Sequence, residues 1–207
     1  MDHDADVPTS TPLDGWLAQL GQPNGAPGGG AAAGVMLGIA ASLLRMVAEY
    51  TPDDPRATEC AGRLARMREE ALDAAEADGI LSAGFGAALA LPADDPERSR
   101  RVRDAALEAA DSSTRLGAIG IRLLPEVRVL TEIGNPHLQA DLAVAAEALR
   151  AGLAGATINL RANLQIARKH DAPAPLRSDL DAEASRLTEA QNAVARIADE
   201  LAARAGE

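Results

Sequence analysis

Aromatic residues are almost missing from this chain: Trp16, Tyr50 and Phe85 are the only three in 207 residues. Cys60 is the only cysteine, which excludes an intramolecular disulfide. The three histidines, His3, His137 and His170, are scattered, and no cysteine or histidine pair has the spacing of a metal site. The apolar share is carried by alanine and leucine, strong helix formers, and not by the aromatic and β-branched residues on which a β-sandwich core draws. Composition therefore points to an all-α fold.

Positive charge is also in short supply. Twenty Lys and Arg face 31 Asp and Glu, a net charge of −11, and Lys169 is the only lysine. Such a chain has neither the basic footprint nor the stacking aromatics of a nucleic-acid binder. The opening MDHDADVPTSTP lacks the basic-then-apolar layout of a secretory signal. The longest apolar run, 31–44, stops at Arg45 and is too short for a bilayer span. The expectation is a cytoplasmic protein with no nucleic-acid or membrane partner.

Residues 1–11 read as a disordered tail, and 12–207 as one helical domain. Leu13, Trp16, Leu17 and Leu20 are spaced as one face of a short helix. A glycine- and proline-rich segment, 21–30, follows, then a helix over 31–49. Asp53-Asp54-Pro55 offers a cap and a first-turn proline for a long helix to about residue 90. The next helix starts near Pro96 and is expected to stop before Pro125, leaving 126–132 as a short separate segment. Asn135-Pro136 opens a helix to residue 169, and 176–204 forms the last. The result is a bundle of long antiparallel helices. Gly30, Gly34 and Gly38 lie four apart, and Gly152 and Gly155 thin one face of a later helix. Each interior glycine costs about 1 kcal/mol against alanine, so these stripes suggest close approach of another backbone, a second copy's included, or of a flat ligand.

Few residues are placed to do chemistry. Gly28, Gly29 and Gly30 lead straight into a helix, whose first N–H groups lack partners and carry partial positive charge. No lysine follows as in a P-loop. Asp78 lies four residues after Ala74 and three before Leu81, on the apolar stripe of its helix. Asp141 shares a stripe with Gly152, Asn159 and Asn163. A carboxylate on an inward face is costly unless paired, and burial raises its pKa toward the range useful for proton transfer. Two such groups can divide acid and base roles; the plainer alternative is an aspartate bonded to an arginine or a helix end. Ser112 and Ser113 have no nucleophile elbow around them. The run Glu97 to Arg103 can hold an anionic tail or simply form a solvated face.

Taken in order, these pieces resemble one family. PGGGAAA and the apolar helix ending in MVAEYT (27–51), Asp78 before Leu91-Pro92, Gly134-Asn135-Pro136 with Asp141, and Asn159-Leu160-Arg161-Ala162-Asn163-Leu164 resemble the motifs of formimidoyltetrahydrofolate cyclodeaminases and methenyltetrahydrofolate cyclohydrolases. The resemblance covers nearly the whole chain after residue 12. It implies an all-helical homodimer with a groove lined by both subunits. It also implies one-carbon chemistry on a tetrahydrofolate derivative with no metal or prosthetic group. Asp78 and Asp141 match its carboxylates; Gly28, Gly29, Gly30, Asn135, Asn159 and Asn163 match its binding surface.

Departures from that pattern share a direction. Ala31 stands where the family has serine; Ile80, Ser82 and Ala83 replace a glutamate, an aromatic and an asparagine; Ala90 replaces a basic residue. Each change removes a polar or aromatic group. Beside the folate reading stand two others: an enzyme on the same scaffold that closes a ring or works at a C–N bond of a less polar substrate, and a non-catalytic helical interaction protein.

Overall fold

The computed structural model describes residues 8–23 and 25–205. They form six helices, α1 (Leu13–Leu20), α2 (Gly29–Glu49), α3 (Pro55–Leu89), α4 (Arg98–Ile133), α5 (Gln139–Lys169) and α6 (Ala174–Ala205), and no strand occurs among them. The chain is all-α.

Most of the expected tail lies outside the described residues. The part within them is tied down: Thr9 donates its backbone N–H and its hydroxyl to Glu76 Oε1 on α3, at 2.5 and 2.8 Å.

Helix ends follow local chemistry. Asp54 accepts from the Arg56 N–H at 2.9 Å with Pro55 in the first turn. Asn135 caps in the same way, accepting from His137 N–H at 2.9 Å, although the turn it starts is a short 3-10 segment, Pro136–Leu138, ahead of α5. The expected break at Pro125 does not occur, and α4 runs through it. A mid-helix proline costs about 3 kcal/mol. Around it Leu123, Leu124, Val127 and Leu130 are all buried, at about 1.5–3 kcal/mol each. Packing outweighs the lost hydrogen bond.

α2 occupies the centre of the bundle, packed on α3, α4 and α5, while α6 covers α4 and α5. α2 and α5 run antiparallel: Gly29 lies beside Asn159, Ala33 beside Gly155 and Leu37 beside Gly152. The glycine stripes are consumed here. A Cβ on Gly34 would stand 2.7 Å from Ala75 Cβ and 2.9 Å from the Ala71 carbonyl oxygen, and one on Gly155 would stand 2.9 Å from Ala33 Cβ. These glycines seat neighbouring helices of the same chain, not those of a second one. By length and composition α2 is the one described helix able to cross a membrane, longer than the apolar run suggested because both its ends are helical too. More than half of its most apolar stretch is buried inside the bundle.

A polar tie crosses the far part of the α3–α4 seam. Arg63 donates to buried Glu126 at 2.7 and 3.0 Å, and the Cys60 thiol donates to the same carboxylate at 2.9 Å. Burial, reinforced by that carboxylate, pushes the Cys60 thiol up to about 12, so it stays protonated and unreactive.

Candidate active site

The loop before α2 turns at Gly25, which has a φ of 80°. Gly28 then takes the cap position in an extended conformation, with no side chain to bond the first N–H groups of α2. The sequence leaves these donors open, and a neighbouring helix meets the need. Asp78, on α3, brings its carboxylate to the start of α2 and accepts the backbone N–H of Ala31. Gly30 makes this possible, because a Cβ there would overlap the carboxyl group. Ser112 on α4 donates to Asp78 Oδ1 at 2.9 Å, and Ser82 donates to Oδ2 at 3.4 Å.

Asp78 is only 6% exposed, and no arginine or lysine pairs with it among the described residues. Burial raises its pKa above the ordinary carboxylate range. The hydroxyls of Ser112 and Ser82 and the Ala31 N–H pull the other way and lose. One wall of this burial is α1, whose Trp16 packs with Ala31 and Ala75 in a small apolar cluster. Of the two plain alternatives, the helix end is realised and the arginine is not.

Asn159 reaches the same place from α5. Its side-chain oxygen and nitrogen would stand 3.5 and 3.6 Å from a Cβ on Gly29. Asn163 follows one turn later on α5, half-buried. One chain therefore brings together Gly28, Gly29, Gly30, Asp78 and Asn159, with Asn163 at the edge.

Asn135 and Asp141 lie at the opposite end of the bundle. Asn135 is occupied there by structure: beyond its capping bond, its N–H donates to Thr51 Oγ1 at 3.2 Å and its amide to the Tyr50 carbonyl at 3.5 Å. Asp141 sits half-buried in the first turn of α5. Asp141 and Asn159 are about 27 Å apart along that helix at about 1.5 Å per residue. Within one chain, Asp78 and Asp141 do not act on the same atom.

Ser112 is the site residue that sequence reasoning passed over. The signal was present: Ser112 and Ser113 fall on the stripe of Ala109, Leu116 and Gly120, and a hydroxyl on an otherwise apolar face needs a buried partner. Of the departures from the family pattern, Ser82 bonds Asp78, Ile80 stands in an open groove beside it, and Ala90 caps the end of α3, exposed.

Residues 12–182 match the family model described as formiminotransferase-cyclodeaminase, and the chain belongs to that family. Among curated proteins it is similar to mouse formimidoyltransferase-cyclodeaminase, 28% identical over 166 residues that make up 75% of this chain and 31% of the relative. The pig protein of the same name is 26% identical over 204 residues, 93% of this chain and 37% of that one. The chain thus spans about a third of the curated relatives it matches. Its fold is that of a formiminotetrahydrofolate cyclodeaminase from Thermotoga maritima, with a TM-score of 0.76 at 20% identity over 93% of this chain and 98% of the other.

Proposed function

We propose that the chain is a cyclodeaminase- or cyclohydrolase-like enzyme acting on the one-carbon unit of a tetrahydrofolate, with Asp78 as its proton-transferring group. The observation that carries this reading is the Asp78 carboxyl itself, buried without a cation at a glycine-lined helix start. A carboxyl with a raised pKa keeps its proton to higher pH than an exposed one and can both give and take it. In the deaminating direction N10 attacks the carbon of the protonated formimino group, –CH=NH2+, of 5-formiminotetrahydrofolate. The bond from that carbon to the amino nitrogen breaks as Asp78 protonates the departing ammonia. The carboxylate left behind takes the proton that N10 gives up. In the hydrolytic direction water adds to the methenyl carbon as a carboxylate accepts its proton, and the bond from that carbon to N5 then breaks, the hydroxyl proton passing to N5 to leave the formyl product.

The working unit in this reading is a homodimer. α2 and α5 share an outward stripe on which Ile39, Val144 and Ile158 are 48%, 58% and 66% exposed. The span from Asp141 to Asn159 has its midpoint opposite Ile39, given the antiparallel pairing of the two helices. A two-fold axis there covers the apolar stripe and lays Asp141 of the partner subunit over the Asp78 end of the first. Each groove then holds two carboxylates from different chains.

The direct test supplies 5-formiminotetrahydrofolate and follows ammonia release together with the near-ultraviolet absorbance of the methenyl product. Equal release of both supports the proposal; no turnover of either one-carbon folate contradicts it. A second reading, a less polar substrate on the same carboxyl, is favoured by Ile80, which is 53% exposed beside the site where the family pattern has a polar residue. Failure of both folates, with turnover of a less polar substrate that Asp78→Asn abolishes, selects it.

A further inference from the structure

α1 is held by less than any other helix of the bundle. It has eight residues, Pro12 at its start offers no side-chain cap, and among the described residues Trp16 alone of its side chains is buried. Leu13 and Leu17 point outward, 67% and 51% exposed. A helix of this length is marginal in water by itself, so contacts outside it decide whether it forms. Two such contacts hold it. Trp16 sits against Ala31 and Ala75, and Thr9, just ahead of the helix, donates its N–H and its hydroxyl to Glu76 Oε1. Between them the packing is incomplete: a cavity of about 190 Å³ lies among Leu13, Trp16, Val35 and Leu72.

Both attachments end on the residues that build the Asp78 site. Ala31 is the residue whose N–H the Asp78 carboxyl accepts. Ala75 and Glu76 stand three and two places before Asp78 on α3. The site beside α1 is shut: Asp78, Ser112 and Ala31 are 6%, 4% and 1% exposed. A substrate exchanges a proton only with a carboxyl it can touch. Local openings are drawn from the least stable elements of a fold, and next to Asp78 that element is α1.

We propose that residues 9–20 form a lid over Asp78, with Trp16 as its plug and the Thr9–Glu76 bonds as its latch. Open, the lid admits the substrate and releases the product. Closed, it shuts out water and holds the carboxyl in its buried state. Trp16 and Glu76 are positioning residues in this scheme, acting on the reaction through Asp78. The functional part of the inference rests on the reading of Asp78 as the reacting group; the movement of α1 does not.

The test locks the latch in the full chain. Thr9→Cys/Glu76→Cys is bridged with ethane-1,2-diyl bismethanethiosulfonate, a thiol-specific reagent that a reductant removes. Cys60 does not compete, because it is fully buried and its thiol is pushed up to about 12. Wild type given the same reagent is the control. Two readouts are taken: turnover of 5,10-methenyltetrahydrofolate, and amide hydrogen exchange over α1, which needs no substrate. The bridge should lower turnover by about tenfold or more, with recovery on reduction. It should also slow exchange over α1 by about tenfold while exchange over α5 is unchanged. Unbridged Glu76→Ala should quicken α1 exchange by about tenfold, and Glu76→Gln by less, because its amide oxygen still accepts from Thr9. Turnover by the bridged enzyme at its reduced rate overturns the lid and leaves the proposed function standing. No folate turnover in any form, with α1 exchange that the bridge slows, overturns the proposed function and leaves the moving cover standing. Exchange over α1 that changes only together with α5 shows that α1 opens only when the whole bundle unfolds, which overturns the lid.

Discussion

The carboxyl group of Asp78 stands where a side chain on Gly30 would be. α2 and α3 meet closely enough for a buried carboxyl to reach the open N–H of Ala31 only because residue 30 has no Cβ.

Gly30→Ala therefore forces the carboxyl or the start of α2 to move. The expected cost is about 1–3 kcal/mol of stability, the range for overpacking a filled site, together with loss of turnover. Gly38→Ala is the internal comparison, because its Cβ meets only the end of the flexible Leu72 side chain at 3.2 Å. Urea unfolding of the two variants should rank them in that order.

Asp78 binds its proton more tightly in the folded chain than in the unfolded one, because burial raises its pKa. Its contribution to stability is full below the ordinary carboxylate pKa and declines as pH rises through the raised value. Asp78→Asn does not titrate. Relative to wild type, the variant gains stability as the medium passes from acidic to neutral. Paired urea titrations across that range check the sign, and a constant difference would refute it.

Ser112→Ala and Trp16→Ala move the Asp78 titration in opposite directions. Without the Ser112 hydroxyl, 2.9 Å away, the ionised form loses a donor and the pKa rises further. A hydrogen bond to a charged group is worth about 1.5–3 kcal/mol, so a tenfold to hundredfold drop in turnover accompanies that shift. Without Trp16, water reaches the Ala31–Ala75 wall and the pKa falls. The pH–rate profiles of the two variants should separate to either side of wild type. A purely structural role would lower activity without moving the profile.

The shared-site dimer makes its own prediction. Asp78→Asn and Asp141→Asn are each inactive, yet mixing them under exchange conditions creates heterodimers with one intact pair of carboxylates. Activity should return to about one quarter of wild type at equal mixing. Light scattering at 21 kDa, the mass of one chain, would remove the premise.

Much of this was legible in the sequence for identifiable reasons. Asp54-Pro55 and Asn135-Pro136 encode their turns locally, so the starts of α3 and of the segment before α5 could be read directly. Asp78 could be read because its position on an apolar stripe is a matter of period alone. Pro125 misled because the rule for proline is local, whereas the four buried neighbours that hold α4 together are tertiary. The glycine stripes announce the close approach of another backbone, but not whose. Which backbone fills a missing Cβ depends on the antiparallel register of α2 and α5, which spacing within one helix does not specify. The separation of Asp78 from Asp141 was hidden in the same way.

The account turns on Asp78 as the group that moves the proton, and the most direct measurement is the decay of 5,10-methenyltetrahydrofolate absorbance in the near ultraviolet. Wild type should accelerate it, and Asp78→Asn should slow the enzymatic rate by about a hundredfold or more while its helical circular dichroism is unchanged. Turnover by Asp78→Asn at the wild-type rate would contradict the account.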